Sequence, residues 1–201
     1  MGARDPLADG AFDVVALAAS AGGLNAVSRI LAELPSGFPA GIVVIQHLDP
    51  RHRSLMADIL AKRTQLKVKE AEEGETVLPG AVLIAPPNRH LLVNADGTVS
   101  LTQTELVHFL RPSADLLFES VAASFRDRVV AVVLTGTGVD GAMGLAAVKK
   151  MGGTVIAQDQ TTSEFFGMPS AAIDTGNVDF VLPLEEIASA LTKLVIGERT
   201  D

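Results

Sequence analysis

Apolar, strand-sized runs alternate with helical patterns from Phe12 almost to the end of the chain. The runs Val14–Ala18, Gly41–Gln46 and Val129–Leu134 are nearly uninterrupted by polar residues. Strands of this kind are buried on both faces, and a helix between two such strands covers one face of a parallel sheet. The alternation therefore predicts an α/β fold: a doubly wound, mostly parallel sheet with helices on both faces.

The remaining elements follow from the spacing of apolar residues and from turn residues. The predicted helices are Leu24–Leu34, Ser54–Arg63, Ser113–Ser124, Ala142–Met151 and Leu184–Val195. The further predicted strands are Val82–Ala85, Thr154–Gln158 and Val178–Leu182. His90–Val93 and Thr98–Leu101, joined by the turn Asn94–Gly97, predict an antiparallel β-hairpin appended at one edge of the sheet.

Length and composition restrict the class of protein. A chain of 201 residues suits one domain, which we expect to span residues 12–196 between short tails at 1–11 and 197–201. The absence of cysteine excludes disulfides, a thiol nucleophile and cysteine-based metal sites. A net charge of -8 without Trp or Tyr argues against nucleic-acid binding. With no membrane-length apolar run and no signal-peptide pattern, we expect a cytoplasmic protein that does not insert into the membrane.

Three side chains that can carry chemistry follow predicted strands. Ser20 comes after the first strand, His47 directly after the second, and Asp140 in the loop after Val129–Leu134. Ligands of parallel sheets bind at the carboxyl ends of the strands, so these residues are a candidate nucleophile, base and orienting carboxylate. Individually, Ser20 also suits a helix cap and Asp140 a turn. Their coincidence at strand ends favours the catalytic interpretation.

The turn around Ser20 resembles the Gly-x-Ser-x-Gly nucleophile elbow, in which a tight strand-to-helix turn exposes the hydroxyl. The match is partial, because Ala18 stands at the position of the first glycine. The order Ser, His, Asp along the chain also differs from the Ser, Asp, His order of the α/β-hydrolase superfamily. The sequence thus predicts triad chemistry on a different doubly wound topology.

A second interpretation concerns the loop that contains Asp140. Gly136–Gly141 is a literal G-x-G-x-x-G between a strand and a helix, and Asp159 follows about 20 residues later. This pattern is typical of dinucleotide-binding domains. Asp140 would place a carboxylate where a pyrophosphate must lie, and the motif normally opens the first βαβ unit. Both points disfavour dinucleotide binding.

Positive charge lies just beyond His47, at Arg51 and Arg53, with Lys62 and Arg63 further on. Such residues commonly form a solvated helix face. Alternatively, Arg51 and Arg53 form a basic rim that attracts an acidic substrate toward the site despite the negative net charge.

Nine short motifs, in order between about Val14 and Leu194, resemble the catalytic domain of the chemotaxis protein-glutamate methylesterases, the CheB family. They are Ala19–Gly23, Gln46–His47, Glu70–Gly74, Pro79–Gly80, Ile84–Pro86, Arg111–Asp115, Leu134–Gly141, Ala157–Asp159 and Gly167–Pro169. The ordered series is more specific than any single motif.

The resemblance implies hydrolysis of glutamyl methyl esters on the acidic, helical cytoplasmic region of methyl-accepting chemotaxis receptors, and in some members deamidation of receptor glutamines. It maps the catalytic serine, histidine and aspartate onto Ser20, His47 and Asp140. No metal and no organic cofactor is expected. The oxyanion and substrate pocket is expected at Ala21, Gly22, Gly136, Thr137 and Gly138.

Two departures from the family pattern bear on activity. The family loop usually reads Thr-Gly-Met-Gly-x-Asp-Gly, whereas this chain has Thr137 at the methionine position. Typical members also carry an N-terminal receiver domain, but only Met1–Ala11 precede the first predicted strand here, so we expect that control to be absent from this chain. A weakly active or inactive module that binds receptors is the alternative.

Overall fold

The computed structural model describes residues 13–47 and 54–197. The strands are β1 (Val14–Ala19), β2 (Gly41–Gln46), β3 (Lys67–Glu70), β4 (Ala81–Ile84), β5 (His90–Val93), β6 (Val99–Thr102), β7 (Val129–Val133), β8 (Thr154–Gln158) and β9 (Phe180–Leu182). The helices are α1 (Gly23–Glu33), α2 (Met56–Ala61), α3 (Ala114–Phe125), α4 (Gly144–Lys150), α5 (Gly167–Asp174) and α6 (Leu184–Ile196).

The main sheet is parallel throughout and has seven strands in the order β3-β4-β2-β1-β7-β8-β9. From β1 the chain first builds one side of the sheet: β2 lies next to β1, β3 forms the edge, and β4 then inserts between β3 and β2. It then returns to the other side of β1 with β7, β8 and β9. The strand order therefore reverses between β1 and β7, and the loops after these strands flank a crevice where open α/β sheets bind ligands.

The sheet is covered on both faces, as the uninterrupted apolar strands predict. Alternate residues of β1 enter different cores: Val14, Ala16 and Ala18 face one, and Val15, Leu17 and Ala19 the other. Side chains from α3, α4 and α5 complete the first core, whereas α1, α2 and α6 complete the second. Because strand side chains alternate between faces, the inner strands β1, β2, β4, β7 and β8 each contribute to both cores. The predicted doubly wound α/β fold is confirmed.

The predicted hairpin is present as β5 and β6. Its strands pair with each other and form a separate two-stranded sheet. Hydrogen bonds join this sheet to α3: the Val93 amide donates to Ser120 Oγ at 3.0 Å, and Ser124 Oγ donates to the Val93 carbonyl at 2.8 Å. The hairpin therefore packs beside the helix that leads into β7.

Two elements escape sequence prediction, for different reasons. The edge strand β3 reads Lys-Val-Lys-Glu and is only partly buried, so it lacks the apolar run by which inner strands are recognised. Helix α5 begins with Gly167 and carries Pro169 in its first turn, where proline is tolerated but the pattern resembles a loop. Within the described part of the chain, no helix is long and apolar enough to cross a membrane.

Candidate active site

Ser20 and His47 are neighbours because the two central strands run in register. Ala19 of β1 pairs with Gln46 of β2, and Ser20 and His47 are the next residues of the two strands. Backbone hydrogen bonds continue past the strand ends: the His47 amide donates to the Ala19 carbonyl at 3.2 Å, and the Ser20 amide to the Thr135 carbonyl at 3.0 Å. The sheet itself thus places the candidate nucleophile beside the candidate base.

Asp140 approaches His47 from the loop after β7. Its Oδ2 lies 2.8 Å from His47 Nε2, and the two side chains are 1% and 10% exposed. The N-terminus of α3 surrounds the same carboxylate: Ser113 Oγ donates to Oδ1 at 2.9 Å, the Ala114 amide to Oδ2 at 2.6 Å and the Asp115 amide to Oδ1 at 3.3 Å. A buried charge needs such donors, and a helix N-terminus supplies them.

These contacts decide the charge of Asp140. Burial opposes ionisation, but hydrogen bonds from His47 and from the Ala114 and Asp115 amides outweigh it and lower the pKa of Asp140 below its ordinary value. An ionised carboxylate only accepts hydrogen bonds, so His47 Nε2 carries the proton it shares with Asp140. The other ring nitrogen, Nδ1, is then the one that can accept a proton from a nucleophile.

A second carboxylate lies behind the first. Asp115 Oδ1 accepts the Gly144 amide at 2.8 Å, and Oδ2 is 3.7 Å from His108 Nε2. Burial raises the pKa of Asp115; the Gly144 bond opposes this rise, and the negative charge of Asp140 adds to it. Of the two neighbouring carboxyl groups, Asp140 therefore ionises first, as its contact with His47 requires.

An open cleft of about 470 Å³ lies in front of Ser20 and His47. It is lined by Ser20, Ala21, Gly22, Gly23, Leu24, Asn25, Gln46, His47 and Arg63. Gly22 turns the chain from β1 into α1 with a φ of 77°, in the left-handed region that favours glycine. The turn leaves Ser20 at the start of the cleft, where a substrate carbonyl can reach it.

The structure revises part of the predicted oxyanion pocket. Ala21 and Gly22 line the cleft. Gly136 lies so close to Ser20 that a β-carbon on it would be 2.8 Å from the Ser20 Cβ. Its amide, however, donates to the Phe165 carbonyl at 2.9 Å, so Gly136 does not offer a free N–H to the predicted oxyanion pocket. Thr137 and Gly138 are exposed in the same loop, which packs against Gly167 at the start of α5.

Several residues around the site have no predicted role in the sequence. Ser113 and Asp115 belong to a motif of the family resemblance, yet nothing in the motif links them to Asp140, from which 27 and 25 positions separate them. Gln46, the last residue of β2, donates to the carbonyls of both Ser20 and His47. In the sequence, Gln46 is distinguished only as a polar residue at the end of an otherwise apolar strand.

The remaining predicted residues have different outcomes. Arg51 and Arg53 lie outside the described residues. In the loop Gly136–Gly141, the Asp140 side chain is buried against His47 and α3. A pyrophosphate would meet this carboxylate in the same loop, which argues against dinucleotide binding on physical grounds.

Comparisons with known proteins agree with this geometry. The family model described as CheB methylesterase matches residues 15–191. A relative from Leptospira interrogans (strain Fiocruz L1-130) is 43% identical over 183 residues, which are 91% of this chain and 95% of the relative. The protein-glutamate methylesterase/protein-glutamine glutaminase of Symbiobacterium thermophilum is 41% identical over 182 residues, 90% of this chain but 50% of that protein.

Among solved structures, the CheB methylesterase catalytic domain of Thermotoga maritima superposes with a TM-score of 0.88 at 41% identity. The match covers 92% of this chain and 99% of that domain. The resemblance predicted from nine short motifs is thereby confirmed over nearly the whole fold. The chain belongs to the CheB methylesterase family.

Proposed function

We propose that this chain is a protein-glutamate methylesterase that hydrolyses glutamyl methyl esters on methyl-accepting chemotaxis receptors in the cytoplasm, with Ser20, His47 and Asp140 as its catalytic triad. The bond between His47 Nε2 and the buried Asp140 carboxylate, at the crevice that contains Ser20, carries the proposal. Relatives are named as methylesterases and glutaminases, which supports the same class of acyl chemistry on esters and on glutamine amides.

In the first half of the reaction, Ser20 Oγ attacks the ester carbonyl and His47 Nδ1 takes the hydroxyl proton. Asp140 holds the ring in this tautomer and stabilises the imidazolium that forms. When the tetrahedral intermediate collapses, the bond to the methoxy oxygen breaks. The proton on His47 passes to that oxygen, so methanol leaves and a glutamyl ester of Ser20 remains.

In the second half, water replaces methanol in the same geometry. His47 Nδ1 takes a proton from the water as its oxygen attacks the acyl carbonyl. Collapse of the second intermediate returns that proton to Ser20 Oγ and releases the glutamate carboxyl group. An amide substrate follows the same steps, with ammonia as the first product instead of methanol.

The oxyanion that forms twice in this cycle needs hydrogen-bond donors. The amide of the residue after the nucleophile is a usual donor in strand-to-helix serine turns. Here that residue is Ala21, which lines the cleft and whose amide has no hydrogen-bond partner among residues 13–47 and 54–197. We assign the Ala21 amide as an oxyanion donor.

Methanol release from methylated receptor tests the proposal directly. Ser20→Ala and His47→Ala are each expected to abolish turnover, whereas Ser189→Ala, which changes an exposed serine in α6, is expected to leave it unchanged. Undiminished release by Ser20→Ala would contradict the proposal. Receptor binding without methanol release by the unchanged protein would instead favour the receptor-binding module.

A further inference from the structure

The side chain of Gln46 connects the backbones of the two residues proposed as nucleophile and base. Gln46 is 5% exposed. Its Nε2 donates to the Ser20 carbonyl at 2.6 Å and to the His47 carbonyl at 3.2 Å. One amide group therefore spans the ends of β1 and β2 at the point where both strands enter the cleft.

The bond to the Ser20 carbonyl also fixes the next amide. The peptide between Ser20 and Ala21 is planar, so its N–H points away from the direction of its C=O. The Ser20 carbonyl is bound by Gln46 Nε2 and by the Gly23 amide, the latter at 2.9 Å. With the carbonyl held from two sides, the Ala21 N–H is held in the opposite direction.

Tight packing leaves Gln46 one orientation. A β-carbon on Gly23 would lie 2.1 Å from Gln46 Oε1, so only glycine at position 23 leaves room for the side chain. Turning the amide over would place Oε1 against two carbonyl oxygens, which repel it. Oε1 itself is buried and has no hydrogen-bond partner among the described residues, an arrangement that costs stability.

We propose that Gln46 is a positioning residue for ester hydrolysis: its side-chain amide aligns the Ala21 N–H with the oxyanion and holds the backbone of His47 against that of Ser20. The inference rests on the proposed function, because Gln46 only positions groups that take part in the proposed reaction. An apolar side chain of similar length would fill the same space without donating a hydrogen bond. The unpartnered Oε1 is then the cost of retaining a donor at this position.

Gln46→Met tests the donor, since methionine has a similar length but no N–H. A loosened oxyanion donor should lower kcat for methanol release by about tenfold to 10³-fold, the upper end being the loss of the donor altogether. KM should change little, because Gln46 acts on the Ser20–Ala21 turn and on His47. Labelling of Ser20 by a fluorophosphonate, which needs the same oxyanion donor, should slow in parallel. Unchanged kcat with unchanged labelling would overturn the inference.

Gln46→Glu should restore the hydrogen-bond donor to the Ser20 carbonyl only at low pH. The introduced carboxyl would be buried against two carbonyl oxygens, so its pKa should be raised. Protonated, it can donate to the Ser20 carbonyl; ionised, it only repels that oxygen. The rate of this variant, divided by that of the unchanged protein at the same pH, should therefore fall as pH rises. A ratio that does not vary with pH would contradict the proposal.

Ser124→Ala is a matched structural control, because it also removes a side-chain donor to a backbone carbonyl, that of Val93, and neither residue lines the cleft. It should lower the melting temperature without lowering kcat. If Gln46→Met loses only stability, as Ser124→Ala does, Gln46 is merely structural and the inference fails. Persistent activity in Ser20→Ala would show instead that the proposed function has failed.

Discussion

At the scale of single residues, the most constrained side chain of the site is Asp140. His47 Nε2, Ser113 Oγ and the amides of Ala114 and Asp115 all lie within hydrogen-bond distance of its carboxylate. Every one of these groups is a donor when Asp140 is ionised. An acceptor with two oxygens is therefore required at this position, and a neutral amide cannot replace it.

Asp140→Asn should lower both activity and stability. One of the carboxylate oxygens becomes an NH₂ that faces donors. The His47 ring is then no longer held with its proton on Nε2, so kcat should fall by about 10³ to 10⁴. The mismatched donors should also lower the free energy of unfolding by about 1–3 kcal/mol. Steady-state rates and urea unfolding measure the two effects; an activity within a factor of two of the unchanged protein would contradict this role.

Thr137→Met restores the residue usual in the family. Because the side chain of Thr137 is exposed in the loop after β7, the substitution should change the free energy of unfolding by less than about 0.5 kcal/mol. Contacts of an exposed side chain at the rim of the loop affect substrate binding, so KM should change while kcat does not. A change confined to kcat would show that position 137 acts on the transition state instead.

At the scale of elements, close approach between the loops after β1 and β7 shapes the site. Gly136 lies against Ser20 and Met168, and Gly167 lies against the loop that contains Thr137. The start of α5 thereby holds this loop beside Ser20, the proposed nucleophile. Glycine is required here for space, since a side chain would push the two strand ends apart.

Gly136→Ala should separate these elements. The added methyl would lie 2.4 Å from Met168 Sδ and 2.8 Å from Ser20 Cβ, and overpacking of this kind costs about 1–3 kcal/mol. Ester hydrolysis should fall as well, because Ser20 is displaced. Gly37→Ala is the matched control: a β-carbon there meets nothing within 4 Å. Equal melting temperatures and rates for the two variants would refute the prediction.

The contact between Asp140 and the N-terminus of α3 should make stability depend on pH. A carboxyl group whose pKa is lowered by folding contributes stability that is complete above its unfolded pKa of about 3.9 and is lost as pH falls through the lower folded value. Asp140 is such a group. Urea unfolding below pH 5 should therefore show a steeper acid loss for the unchanged protein than for Asp140→Asn, and parallel curves would contradict the assignment.

At the scale of the whole molecule, the candidate site lies at the centre of the sheet. Strands β1, β2 and β7 are fully buried and bonded on both sides. The edge strand β9 is short, with Phe180 and Val181 about half exposed. Stability should accordingly decrease from the middle of the sheet toward β9.

Native-state hydrogen exchange measures this gradient. Amides of β1 and β7 should exchange only through global unfolding, with the slowest rates in the molecule, whereas those of β9 should exchange through local opening. The two sets should also respond differently to low urea concentrations, with a strong dependence for β1 and β7 and a weak one for β9. Equal protection in all three strands would be inconsistent with this arrangement.

The sequence predicts what depends on local pattern. The apolar runs locate β1, β2 and β7, and strand-end logic brings Ser20, His47 and Asp140 to one edge. What it cannot predict depends on contacts between distant segments: Ser113 against Asp140, or the Gly136 amide engaged by Phe165. The charged edge strand β3 carries no apolar pattern at all, so only its pairing with β4 identifies it.

The register that sets Ser20 opposite His47 has a consequence for how the protein loses function. The proposed nucleophile and base are held one interstrand spacing apart by the same hydrogen bonds that hold β1 to β2. No partly unfolded form that has separated these strands can keep the pair together. The fraction of ester hydrolysis that survives brief heating should therefore equal the fraction of molecules whose central sheet is intact. Activity then reports cooperative unfolding of the sheet without an added probe.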